Sequence, residues 1–285
     1  MKVVRAEVLG YCMGVRRAVD LTEAELKKAR RPVYTMGPLI HNPQVLEYLE
    51  KRGVQILREE GLPENLEGAV VIIRAHGISP QLEAGLMSRG AVLVDATCPR
   101  VRSGQTRARS LSAGGCRIFL AGERHHGEII GIRGFAPDCI VVANPEEAAK
   151  AAETLFREEK PEKTALLGQT TISPEEYRAI GGEICRFFPG VLILDTICGA
   201  TKDRQDALRK LCGETEAIIV AGGKDSANTR RLLGIALSLG KPAWLAETPG
   251  DIPREIRSYG TVGLCAGAST PDTVINAIEE ALKAL

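Results

Sequence analysis

The 285-residue chain is poor in the features that mark the commonest protein classes. No apolar run approaches the roughly 18 to 20 residues that a bilayer-spanning helix requires. The 37 basic and 36 acidic residues leave a formal charge of +1, which gives no electrostatic grip on nucleic acid or on an anionic membrane. There is no CxxC pair and no zinc-finger spacing. No Walker-type phosphate loop is present, and no strand-linked GxGxxG for a dinucleotide stands out. The expected partner is therefore a small molecule, with no nucleic acid and no membrane. The N-terminus carries Lys2, Arg5 and Glu7 where a secretory signal needs an apolar core, so a cytoplasmic location is expected.

Against these absences stand eight cysteines and enough hydrophobic residues, 44%, to fill sizeable cores. In a reducing cytosol such cysteines read as buried residues, metal ligands or catalysts rather than as disulfides. Cys116, Cys139, Cys185, Cys212 and Cys265 lie in apolar or helical stretches and read as ordinary thiols. The other three share a setting. Val92-Leu93-Val94-Asp95-Ala96-Thr97-Cys98 is a β-type run ending in a thiol, and Leu192-Ile193-Leu194-Asp195-Thr196-Ile197-Cys198 repeats it, with an aspartate three positions before the cysteine in both. A looser copy opens the chain, where Val3 to Leu9 leads into Gly10-Tyr11-Cys12. In open α/β sheets ligands bind beyond the carboxyl ends of the strands, so three such cysteines can converge on one centre.

The chain between them repeats as well. From Cys12 a helix is predicted over Gly14 to Arg30, followed by short strands at Val33–Met36, Val54–Leu57 and Val70–Ile73 and the strand to Asp95. Asn42-Pro43, Ser79-Pro80, Asn144-Pro145 and Ser173-Pro174 are helix starts, with a capping residue before proline at the first helical position. From Cys98 the same order returns, with strands at Arg117–Ala121, Ile140–Ala143, Ala165–Gly168 and the stretch to Cys198. The last unit has strands at Ala217–Ala221, Ala243–Ala246 and Thr261–Cys265 and stops one strand short, which Lys2 to Leu9 would supply. The expected fold is α/β: three similar α/β units in a pseudo-threefold ring around the centre on which the three cysteines converge. The units are 13–98, 99–198, and 199–285 completed by the N-terminal strand 1–12.

In this register the strand tips carry His41 and His76, then His126 with Glu128 and Thr170, then Ser226 with Asn228 and Ser269. Several tips stand just before a helix start, where backbone N–H groups and the positive end of the helix dipole favour an anion such as a diphosphate. Three thiolates without a fourth suit a 4Fe-4S cluster with one iron open, and zinc bound by three cysteines and a histidine is the competing reading. Glu128, close behind His126, is the candidate proton donor.

Tyr11-Cys12-Met13-Gly14-Val15-Arg16-Arg17-Ala18, Ile40-His41-Asn42, Ala75-His76-Gly77, Asp95-Ala96-Thr97-Cys98-Pro99, Gln169-Thr170-Thr171, Asp195-Thr196-Ile197-Cys198-Gly199-Ala200-Thr201 and Ala266-Gly267-Ala268-Ser269 resemble the motifs of the 4-hydroxy-3-methylbut-2-enyl diphosphate reductase family. The resemblance runs from Cys12 to Ser269. It implies reductive loss of an allylic hydroxyl in the methylerythritol phosphate route, giving isopentenyl and dimethylallyl diphosphates. It implies that Cys12, Cys98 and Cys198 hold a 4Fe-4S cluster, and that His41, His76, Ser226, Asn228 and Ser269 bind the diphosphate of the allylic substrate. His126 would line the same pocket, Glu128 would supply the proton, and Thr170 would hold the substrate hydroxyl. Reduced ferredoxin or flavodoxin would deliver electrons singly. Two positions depart from the family: Gly127 stands where proline is common, and Ala227 where some members have serine. An iron–sulfur hydro-lyase acting on a phosphorylated small molecule is the alternative enzyme, and a zinc- or cluster-bearing structural or sensory protein the alternative outside catalysis.

Overall fold

The short Val/Ile/Leu runs become parallel strands, because a run apolar on both faces is stable only when both faces are covered. In a computed structural model that describes residues 1–28 and 31–285, the chain begins with β1 (Lys2–Arg5), α1 (Met13–Lys28), β2 (Val33–Met36), α2 (Pro43–Lys51), β3 (Val54–Leu57), β4 (Val70–Ile73), α3 (Pro80–Ser88) and β5 (Val92–Asp95). It continues through α4 (Pro99–Ala113), β6 (Arg117–Ala121), α5 (Gly127–Phe135), β7 (Ile140–Val142), α6 (Pro145–Glu158), β8 (Thr164–Gly168), α7 (Pro174–Cys185) and β9 (Leu192–Ile193). The last stretch is α8 (Gly199–Glu214), β10 (Ala217–Ala221), α9 (Ala227–Ser238), β11 (Ala243–Ala246), β12 (Thr261–Ala266) and α10 (Asp272–Lys283). The end of the first predicted helix, at Ala29 and Arg30, lies outside the described residues.

The strands form three four-stranded parallel sheets, ordered β3-β2-β4-β5, β7-β6-β8-β9 and β1-β12-β10-β11. The central strands β4, β8 and β10 are buried along their whole length, whereas the edge strands β1, β5 and β9 are half exposed or exposed. The N-terminal strand forms an edge of the third sheet: Lys2 pairs with Thr261 and Arg5 with Leu264. Prolines at the first helical turn and their capping side chains behave as the sequence predicts. The amide of Leu82 donates to Ser79 Oγ at 3.2 Å, that of Glu147 to Asn144 Oδ1 at 2.9 Å, and that of Glu176 to Ser173 Oγ at 3.1 Å.

Two compact units result. One comprises Met1–Arg16, Ile40–Lys51 and Gly199–Leu285, and the other Arg17–Leu39 and Arg52–Cys198. The segment carrying His41 and α2 thus groups with the third sheet, not with the strands β2 and β3 that it connects. The last strand of the second sheet is shorter than expected. Thr196 Oγ1 accepts from the Gly168 amide at 2.8 Å and donates to the Gly168 carbonyl at 2.9 Å, so one hydroxyl occupies both backbone groups and ends the ladder before Cys198. Among the described residues no helix is long and apolar enough to cross a membrane.

Candidate functional site

Because all strands within a sheet run parallel, their carboxyl ends gather along one edge, and the three cysteines follow edge strands there. Each is pinned in the same way. The amide of Cys12 donates to Ala268 O at 3.0 Å, that of Cys98 to Ala75 O at 2.9 Å, and that of Cys198 to Thr170 O at 2.9 Å. Ala268 precedes Ser269 and Ala75 precedes His76, so every one of these cysteines is hydrogen-bonded into a tip that carries a sequence-predicted site residue. Each also opens a helix, α1, α4 or α8, whose N-terminal dipole favours negative charge at that point. All eight thiols are free of disulfides. Cys212 and Cys265 are buried in the third sheet's core, and burial pushes the Cys139 thiol up to about 11, which suits packing residues better than ligands.

In the larger compact unit, the second sheet brings His126, Glu128 and Thr170 together, and His76 from the first sheet joins them. The His76 and His126 rings meet edge to face, 5.1 Å between centroids. His126 caps α5: its Nδ1 accepts from the Glu128 amide at 3.2 Å, which leaves the ring proton on Nε2, a donor suited to an anion. Glu128 is 2% exposed. Its two oxygens accept from the amide and the hydroxyl of Thr170, both at 2.8 Å. Burial pushes its carboxyl up to about 7, against the pull of the two Thr170 bonds, so near neutrality it is poised to give a proton. Gln169 sets this tip: its Oε1 accepts from the Glu123 amide at 2.9 Å and its Nε2 donates to Thr171 Oγ1 at 2.8 Å.

The smaller unit gathers the other polar groups. Ser269 donates to the carbonyl of His41 at 3.1 Å, and the tip after β10 approaches that carbonyl so closely that a Cβ at Gly223 would lie 2.7 Å from it. Asn42 caps α2 through the Val45 amide at 3.1 Å, and Ser226 caps α9 through the Thr229 amide at 3.3 Å. Asn228, in the first turn of α9, is buried, and its Nδ2 has no hydrogen-bond partner among the described residues. A buried donor left unmatched costs free energy, and an incoming anion would satisfy it. Ala227 is buried at the first helical position and adds no side-chain donor between Ser226 and Asn228.

Three residues near the tips escape the sequence reading. Arg74, directly after β4, is mostly buried, which pushes its guanidinium below the usual value. It fills the space a side chain at position 127 would need: a Cβ there would lie 2.8 Å from Arg74 Nη2. Gly127 in place of proline is thus matched to this arginine, a pairing no local signal announces. Gln105 and Gln205, seven residues after Cys98 and Cys198, are buried, with neither amide atom hydrogen-bonded among the described residues. Gln105 Nε2 fills the space a Cβ at Gly77 would need, and Gly77 takes a φ of +70° that glycine accepts freely. The shared spacing from two cysteines was the signal that could have found the glutamines.

Comparison with known proteins gives a consistent result. Residues 3–283 match the family model described as LytB protein. A protein of Treponema denticola named 4-hydroxy-3-methylbut-2-enyl diphosphate reductase is 45% identical over 289 residues, covering 99% of both chains. An Aquifex aeolicus protein of the same name is 38% identical over 286 residues, with 99% of this chain and 96% of the other covered. Among solved structures, the E-1-hydroxy-2-methyl-but-2-enyl-4-diphosphate reductase of Plasmodium falciparum superimposes with a TM-score of 0.90 at 29% identity, covering 98% of this chain and 87% of that one.

Proposed function

The chain belongs to the LytB protein family, and from that membership and the site above we propose the reaction it performs: reductive removal of the allylic hydroxyl of 4-hydroxy-3-methylbut-2-enyl diphosphate, to isopentenyl and dimethylallyl diphosphates. The observation that carries this reading is the repeated anchoring of Cys12, Cys98 and Cys198 on the three tips that hold Ser269, His76 and Thr170. Three thiols outside any disulfide, in one recurring setting, fit a 4Fe-4S cluster by donor chemistry, since thiolates are its ordinary ligands and three of them leave one iron open. Bound there, the cluster would supply electrons singly and a Lewis-acidic iron.

The chain's own residues do the rest. The diphosphate is held by His41, Ser226, Asn228 and Ser269 with His76, through neutral donors and the positive end of α9. His126 would offer its Nε2 proton to the same diphosphate. Thr170 holds the substrate hydroxyl, and Glu128, whose carboxyl burial pushes up to about 7, passes its proton to the Thr170 oxygen as the Thr170 hydroxyl turns to give its own, so that the substrate hydroxyl leaves as water. The five remaining cysteines take no part. A cytoplasmic protein meeting reduced ferredoxin or flavodoxin fits this chemistry, because both the thiols and the electron supply need a reducing compartment.

The test is anaerobic turnover of the allylic diphosphate with and without an added one-electron reductant, together with iron and sulfide analysis. Product that requires the reductant, from protein with about four irons and four sulfides, supports the reading. Dehydration without reductant would make the protein a hydro-lyase, and a single zinc would remove the redox chemistry altogether.

A further inference from the structure

The chain as a whole is close to neutral, yet α4 carries four basic residues and no acidic one. The three helices that follow the cysteines occupy matching places, and two of them carry mixed charge: α1 has Asp20, Glu23 and Glu25 among its basic residues, and α8 has Asp203, Asp206 and Glu214. Helix α4, which starts directly after Cys98, has Arg100, Arg102, Arg107 and Arg109 and no acidic residue. Its buried side is Val101, Gly104, Gln105 and Ala108, which turns Arg100, Arg107 and Arg109 to solvent. Arg100 and Arg107 are two helical turns apart and share one stripe, with Ser103 and Ser110 exposed beside it. Among the described residues no carboxylate pairs with Arg100, Arg107 or Arg109. Arg102 is the neutralised member, 2.5 Å from Asp95. Arg17 adds a further cation at the Cys98 end, donating to Asp95 O at 3.0 Å and Thr97 O at 3.4 Å.

We infer that the exposed arginine face of α4 is the docking surface for an acidic one-electron carrier protein, which delivers electrons at the Cys98 end of the helix. The inference rests on the function proposed above. That function needs electrons from outside and has no surface yet assigned to their source. The occupant follows from charge. A concentrated positive face on a neutral protein selects a carboxylate-rich partner by steering its approach, and transient redox complexes rely on such steering with small interfaces. The hydroxyl-lined centre between arginine rims presents no large apolar side chain, which suits a partner that must leave after each transfer. Each encounter oxidises one carrier by one electron. Two encounters and two protons convert the substrate's C–OH bond into C–H and release water.

The experiment compares the unsubstituted holoenzyme with a variant carrying Arg100→Glu and Arg107→Glu. A glutamate at position 100 enters the first turn of α4, where the helix dipole favours it, so folding is not set against the test. Two readouts are taken: binding of an oxidised acidic [2Fe–2S] ferredoxin to immobilised enzyme across a salt series, and turnover driven either by that ferredoxin in its reduced form or by reduced methyl viologen. The double reversal is expected to weaken ferredoxin binding about tenfold or more at low salt and to flatten its salt dependence. Ferredoxin-driven turnover should fall in parallel, while methyl viologen turnover stays within about twofold, because a small cationic reductant needs no docking face. The neutral pair Arg100→Gln and Arg107→Gln should show a smaller loss in the same direction. Ferredoxin affinity and salt dependence unchanged in both variants overturn the assignment. An equal loss from Arg58→Glu, an exposed arginine elsewhere, overturns it too, by reducing the effect to net charge. Absence of methyl viologen turnover in the unsubstituted enzyme would instead overturn the proposed function and leave the binding result to judge the docking face.

Discussion

Replacing Glu128 with glutamine tests the proton role and the burial that creates it in a single variant. The amide is isosteric and can still accept from the Thr170 backbone, while the Thr170 hydroxyl can turn to accept from the new NH2 group, so the tip should keep its shape. Substrate binding should survive, and turnover should drop by about 10²- to 10⁴-fold, the usual worth of a positioned general acid. Stability supplies the sharper measurement. The folded carboxyl titrates near 7 and the unfolded one near 4.5, so between those values the folded state holds a proton that the unfolded state has lost. Stability therefore falls as pH rises through that window and levels off above it, a loss of about 3 kcal/mol in full and about 2 kcal/mol between roughly pH 5.5 and 8.5. Glutamine does not titrate, so the variant should gain on the unsubstituted protein by that amount over that range in anaerobic urea unfolding. A stability difference that does not change with pH would refute the reasoning, as would near-normal turnover. The kcat/KM profile of the unsubstituted enzyme should fall above about pH 7, and the residual rate of the variant should lose that limb.

Thr170→Val removes one of the two bonds that hold the Glu128 carboxyl down. The alkaline limb of the rate profile should move to higher pH while the rate itself falls; a limb that stays in place would separate the two residues. Cys98→Ser should leave the visible cluster absorbance weak or absent with iron content reduced, whereas Cys116→Ser should leave both unchanged. Gly127→Pro suits the helix start and the extended backbone of His126 but drives a ring into Arg74, so it should destabilise by about 1 to 3 kcal/mol. Added to Arg74→Ala it should cost little, and strictly additive effects in that double-mutant cycle would count against the proposed match.

The parts of the fold that are local were legible in the sequence, and those that depend on distant partners were not. Ser79-Pro80, Asn144-Pro145 and Ser173-Pro174 mark helix starts because cap and proline act within four residues. The apolar runs become strands because each must be covered on both faces. The length of β9 is not legible along the chain because its ladder ends on a side chain, Thr196, that imitates a backbone partner, and nothing in the run Leu192 to Ile197 distinguishes that hydroxyl from an ordinary one. The grouping of α2 with the third sheet is likewise invisible along the chain. It explains why His41, which follows a strand of the first sheet, is hydrogen-bonded to Ser269.

The candidate site divides along the same line. Which residues stand at the tips follows from register, since a parallel strand delivers its next residues to one sheet edge. How they act does not follow from register. Glu128 sits three residues after His125, which is exposed, and three before Gly131, and only the fold seals its carboxyl from water and turns Thr170 onto it. A glutamate with the same neighbours in an open loop would titrate like any other and could not hold a proton at neutral pH. The cysteines show the converse. Their amides find carbonyls in the neighbouring tips because the chain stays beside the adjacent strand's continuation after the ladder ends, for three residues at Cys98, five at Cys198 and seven at Cys12. A thiol placed one or two positions later along the same chain would fall within the helix and lose that anchor. The repeated order of strand, cysteine and helix therefore encodes a geometric requirement, and it is the reason three stretches of otherwise different sequence end alike.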